Sequence, residues 1–156
     1  VRSPFFLGAL ALGALAGCRA LGLSGPEERW QEVTVNGVGV DDLWTVVTTS
    51  LNQSGFRRLE IDRAGGSGSS GWDVSLHPYS GGGWRERAHV RVEPAGERKW
   101  KVGVRVEREK NETVRKTLEE TEAEWDSEPD NLERARIVAR RIVAALAFPE
   151  APASGR

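Results

Sequence analysis

One thiol and two imidazoles are the side chains of this 156-residue chain with the most reactive chemistry: Cys18, His77 and His89. A cysteine sulfur is a nucleophile once deprotonated, and Cys18 stands alone, directly behind an apolar stretch that ends Leu15-Ala16-Gly17. The two histidines alternate onto the polar sides of neighbouring predicted strands, where a carboxylate would have to complete any metal site. Zinc takes three or four such ligands, so solvated strand histidines are the simpler reading, and no metal or other cofactor is expected. Nucleophilic serine catalysis asks for a Gly-x-Ser-x-Gly turn, and phosphate cradling for a glycine loop that ends in lysine and a hydroxyl residue. Neither pattern occurs. Gly65-Gly66-Ser67-Gly68 therefore reads as a linker, and the glutamates within residues 119–124 as a solvated surface. No catalytic residue is assigned, and the chain is expected not to be an enzyme.

Cys18 needs an element that presents it. Residues 5–16 are apolar or glycine throughout, and Arg2 is the one charge before them. Crossing the hydrocarbon core takes ~20 apolar residues, more than this run supplies. Gly8, Gly13 and Gly17 would each weaken a buried helix by roughly 1 kcal/mol relative to alanine. A positive residue, a short apolar stretch and small residues at its end form the layout of a secretory signal peptide. Leu15-Ala16-Gly17-Cys18 resembles the bacterial lipobox, in which small side chains enter a narrow peptidase site and the thiol accepts diacylglycerol. The resemblance implies cleavage between Gly17 and Cys18, a lipidated Cys18, and an acylated amine at the new terminus, with palmitate among the acyl chains. Each buried methylene contributes ~0.8 kcal/mol and one chain binds a membrane only marginally, so several chains make the anchor durable. Arg19 stands where the inner-membrane retention signal of enteric bacteria has aspartate, which implies the outer membrane, on its periplasmic side, over the inner membrane.

Twenty-two basic and 23 acidic residues give a formal net charge of −1. Nucleic-acid binders usually carry a basic excess, so no nucleic-acid partner is expected. With its one cysteine committed to lipid, the chain has no disulfide to draw on and must fold by packing. The reading divides it into a signal peptide (1–17), a lipidated cysteine with its tether (18–29), a single α+β domain (30–148) and a disordered tail (149–156). Val33 and Val35 alternate in a first strand that ends at Asn36-Gly37. A helix follows over 41–55, capped by Asp41, although its β-branched run 45–49 disfavours it. Residues 56–62 give a second strand with Leu59 and Ile61 inward. Trp72, Val74 and Leu76 share the core face of a third, with Asp73, Ser75 and His77 wet. Ala88, Val90 and Val92 line the core face of a fourth, and Trp100, Val102, Val104 and Val106 that of a fifth. Residues 110–126 read as an extended arm. A closing helix, capped by Ser127 or Asp130, carries an apolar stripe that includes Ala135, Ala139, Ile142 and Leu146, while Arg134, Arg136, Arg140 and Arg141 border the stripe with wet heads.

The expected fold is α+β and two-layered: an antiparallel sheet of about five strands with two helices on one face, in the order β-α-β-β-β-β-α. "DDLWTVVTTSLNQSGF", Arg87 and the closing segment from Trp125 to Leu146 resemble the helix-grip domain of BamC-type outer-membrane assembly lipoproteins. That resemblance implies a non-enzymatic lipoprotein module that binds another envelope protein. The alternative is lipid or lipopolysaccharide handling, similar to LptE, which would favour an exposed basic or aromatic sheet face. Trp44, Trp84 and Trp125, whose places the alternation leaves open, form the candidate interaction surface together with the outward Arg87, Arg91 and Lys101. Arg85, Lys99 and Arg105 share that outward row with Glu86, Glu93 and Glu107 interleaved.

Overall fold

In a computed structural model, residues 27–76, 82–113 and 119–147 are described. Gly17, Cys18, His77 and the C-terminal tail lie outside the described residues. β1 (Gln31–Asn36) turns at Gly37, whose φ of 79° suits glycine, into α1 (Val40–Gln53). There follow β2 (Glu60–Asp62), β3 (Ser67–Ser69), β4 (Asp73–Ser75) and the long pair β5 (Trp84–Gly96) and β6 (Lys99–Asn111). A 3-10 turn (Glu120–Glu122), β7 (Trp125–Glu128) and α2 (Leu132–Ala147) complete the order. The sheet is antiparallel, ordered β1-β6-β5-β3-β2, with β4 also paired to β5 and β7 to β6.

The α+β class, the antiparallel sheet and the two helices are as expected from the periodicity. α1 supplies Leu43, Trp44, Val47 and Leu51 to the core, and α2 supplies Ala135, Val138, Ala139 and Ile142. Val35, Ala88, Val90, Val92, Val102, Val104 and Val106 meet them from the sheet. Both helices therefore cover one face. α1 begins without a side-chain cap. Gly39 holds the cap position, and Asp41 and Asp42 sit instead in the first turn, where negative charge favours the helix dipole. Its β-branched run is accommodated because Thr45 and Thr48 donate their hydroxyls to the carbonyls of Asp41 and Trp44 one turn back.

Other expectations change. The supposed linker contains β3, which bridges β2 and β5. A Cβ on Gly68 would lie 2.7 Å from Ile61 and 3.5 Å from Trp44, so glycine lets those two rest on the strand. In β4 the faces are reversed: Asp73 turns toward α2 and pairs with Arg134, while Trp72 lies on the opposite side of the sheet beneath Arg85 and Arg87. Part of the extended arm is β7, bonded to the end of β6. The cap of α2 is Asn131, whose Oδ1 accepts the Arg134 N–H at 3.0 Å.

One polar cluster is built into the helix-covered side. Glu86, 1% exposed, belongs to the core face of β5 rather than to the outward row. It accepts hydrogen bonds from Asn131 Nδ2 (2.7 Å) and from Arg134 Nη1. Arg134 also donates Nη2 to Asp73 (2.7 Å) and to the Ser54 carbonyl (3.1 Å), and lies 4.4 Å over the Phe56 ring. Its head is thus enclosed rather than wet. Burial alone would lower its pKa, but the hydrogen bonds to Glu86 and Asp73 outweigh that and raise it. This cluster holds the first turn of α2 to β5, β4 and the end of α1.

A candidate interaction face on the uncovered side of the sheet

Neither α1 nor α2 lies on the opposite face of the sheet. Alternation along β5 sends Arg85, Arg87, His89 and Arg91 onto it, and along β6 it sends Lys101, Gly103, Arg105, Glu107 and Glu109. These side chains meet the rings of Trp30, Trp72 and Trp125. Arg85 lies 4.3 Å from the Trp72 ring centre and 4.6 Å from that of Trp125, and Arg87 lies 4.5 Å from Trp72. The order along the face is therefore Trp125, Arg85, Trp72, Arg87, a stack of alternating rings and guanidinium planes. Farther along, Arg91 lies 4.4 Å over Trp30. Cation–π contacts of this kind contribute about 0.5–1 kcal/mol each where water reaches them.

A glycine makes room for the second stack. At Gly103, a Cβ would lie 2.8 Å from Arg91 Nε and 3.2 Å from Trp30. A glycine in the middle of a Val-Gly-Val strand marks such a close approach, and that was the signal available in the sequence for Trp30 and Arg91 meeting there.

Carboxylates neutralise the row. Arg85 pairs with Glu109, Arg87 and His89 both with Glu107 at 2.8 and 2.9 Å, and Arg91 and Lys101 both with Glu32 at 2.5 and 2.9 Å. Arg105 pairs with Asp130 at 2.7 Å and Glu28 at 2.8 Å. Burial pushes the Glu107 carboxyl up, but hydrogen bonds from His89 and Arg87 outweigh it and hold the group below the usual carboxylate range. Lys101 and Arg91 do the same to Glu32 through their hydrogen bonds. Beside the Trp30 stack the face dips into a groove of about 790 Å³ lined by Ser67, Ser69, His89, Arg91 and Arg105 among others. The start of the described chain is fixed at its rim: Arg29 N–H donates to Asp130 at 2.7 Å and Trp30 Nε1 to Glu28 at 3.1 Å.

No family model and no curated protein matches the chain.

Of the residues expected at an interaction surface, Arg87, Arg91, Lys101 and Trp125 share this face. Trp44 does not: it is fully buried in α1, and its indole N–H has no partner among the described residues. Its helical position, one turn before Val47 and two turns before Leu51, places it in the core stripe. Trp84 lies on the helix side, 5.7 and 5.8 Å from Arg108 and Arg134. Trp30 and Trp72 were missed as surface residues, Trp72 because a three-residue strand offers too little alternation to assign a face. Among the described residues no cluster of three metal-ligating side chains forms, and no helix is long and apolar enough to cross a membrane.

Proposed function

We propose that this chain is an envelope lipoprotein, anchored through Cys18, whose domain is a non-enzymatic module that binds another envelope protein through the uncovered sheet face. The observation that carries the reading is the fixed stack of Trp125, Arg85, Trp72 and Arg87, continued by Arg91 on Trp30. Tryptophan and arginine dominate the energetic centres of protein interfaces because they bring large, rigid, amphipathic area at small entropic cost. Here the arginines are held by rings and carboxylates before any partner arrives, so little ordering remains to oppose binding. The same pairing leaves the row little free positive charge, which favours a protein partner over an anionic glycolipid.

Two measurements test the two halves of the reading. Metabolic labelling with an alkyne fatty acid should mark the wild-type chain and not Cys18→Ser; an unlabelled wild type removes the anchor. Crosslinking in intact envelopes from phenylalanine photo-probes at Thr34 and Ser69, compared with a probe at Glu133 on α2, locates the partner. Adducts with a defined envelope protein from the sheet face, lost on Trp72→Ala, are expected. Adducts from Glu133 alone would place recognition elsewhere.

A further inference from the structure

A second surface is built differently, from backbone. Among the described residues β1 ends the sheet order, and one of its sides has no described strand beside it. Which groups face that side follows from the ladder. Gly37 N–H donates to the Arg98 carbonyl at 2.8 Å, across from the register pair Asn36 and Lys99. In an antiparallel pair the residues turned toward the neighbour alternate. Val35, Val33 and Gln31 therefore turn to β6 with Gly37, and the N–H and C=O groups of Glu32, Thr34 and Asn36 point to the vacant side. β6 agrees: the Val106 carbonyl, past the end of β1 but on its side, accepts the Asn131 N–H at 2.8 Å. Of the three outward carbonyls, that of Glu32 meets only the side chain of Gln31, at 3.2 Å.

α2 roofs this vacancy. Arg136, Arg140, Val143 and Ala147 recur at helical spacing along one side of it, and with Val33 and Ala139 they line a groove of about 480 Å³. Val143 is 40% exposed there. The two arginines carry the groove's charge: Arg136 has one long ion pair, to Glu133 at 3.9 Å, and Arg140 has none among the described residues. A row of unpaired peptide groups is matched by another polypeptide in extended form, an apolar floor by alternate apolar side chains, and exposed guanidinium groups by carboxylates.

We propose that the vacant edge of β1 accepts a strand from a partner protein, an extended segment whose helix-facing side chains are apolar over Val33 and Val143 and acidic beneath Arg136 and Arg140. This site is separate from the uncovered face and does not rest on lipidation or on that face binding anything.

The test uses the full-length chain in detergent micelles with a short synthetic peptide that alternates threonine with valine or glutamate. Anisotropy of the labelled peptide and amide exchange of the protein are the readouts. Binding with slowed exchange at Glu32, Thr34 and Asn36 is expected, about tenfold weaker when lysine replaces glutamate. Arg136→Glu with Arg140→Glu should reverse that preference while leaving β1 in place. Thr34→Pro, which removes an outward N–H and none of the bonds to β6, should abolish binding at an unchanged unfolding temperature; if it unfolds, the charge reversal decides. Slowed exchange confined to the uncovered face, or peptide binding indifferent to both changes, would overturn the proposal. So would protection of the same amides that rises with protein concentration in the absence of peptide, since the occupant would then be a second copy. Phosphatidylglycerol vesicles that slow exchange at α2 as strongly as the peptide does, with Thr34→Pro unaffected, would make the groove a lipid contact and equally overturn it.

Discussion

The two faces of one sheet use the same chemistry for opposite ends. On the covered side Arg134 is enclosed with Glu86, stacked on Phe56, and shared with Asp73 and the end of α1. On the uncovered side Arg87 is paired with Glu107 and stacked on Trp72, but water reaches both partners. The first arrangement joins elements across the core, and removing Arg134 takes from the buried Glu86 its nearest cation, leaving it the Asn131 amide and the more distant Arg108. The second joins neighbours on one surface, and its loss hands each group back to water. An arginine, a carboxylate and a ring are therefore not by themselves a statement of role; what lies over them is.

The contrast breaks most visibly at Arg134. Arg134→Ala should cost ~2–3 kcal/mol by leaving the buried Glu86 with only the Asn131 amide and, at 3.8 Å, Arg108 for partners, a large part of the ~5–15 kcal/mol available to a domain. Pairing it with Glu86→Leu should recover most of that loss in chemical denaturation. A double variant as unstable as the single one would show that the cluster is not a closed ion pair. Next in size is Gly103→Val, which pushes a side chain into Arg91 and Trp30 and should cost ~1–3 kcal/mol. A shift of tryptophan emission toward that of solvated indole would report Trp30 leaving its stack; unchanged emission would mean that the slot is wider than its neighbours imply.

Acid sharpens the comparison further. Because the folded Glu107 is held below its ordinary pKa, the stability it contributes is complete above the unfolded value near ~4.3 and is lost as pH falls through the lower folded value. Glu107→Gln should accordingly flatten the acid limb of the stability profile below that point and leave the neutral plateau lower by a small amount. An unaltered acid limb would assign the loss to other carboxylates. Smallest of all, Arg136→Ala and Arg140→Ala should each move the midpoint by only a few tenths of a kcal/mol, since their heads are exposed and barely paired. A cost like that of Arg134→Ala at either would erase the distinction between enclosed and open arginines on α2.

What the sequence disclosed follows from the length of its patterns. Thirteen-residue strands such as β5 and β6 repeat their alternation often enough to assign faces, and α2 repeats its stripe over four turns. Three-residue strands do not, and so β3 passed for a linker and β4 was turned over. Glu86 interrupts the apolar row of β5, and as a glutamate among arginines it looked like part of the wet face; only its distant partners Asn131 and Arg134 explain it. The interaction face was half legible. Its arginines were visible by alternation, whereas two of its rings come from Trp30, just before β1, and Trp72, just before β4, where no period reaches.

The fastening of the chain at Glu28 and Arg29 has a mechanical meaning. Arg29 is bonded to Asp130, Asp130 to Arg105 in the middle of β6, and β1 leaves this point antiparallel along β6. A pull on the upstream chain therefore travels into the central hairpin through an ion-paired clasp, and then along the length of β1. A pull directed along β1 would load its bonds to β6 side by side in shear, and one directed across it would open them one after another. Tension arriving at Arg29 would therefore be divided at Asp130, between the sheet through Arg105 and the start of α2 two residues farther along the chain.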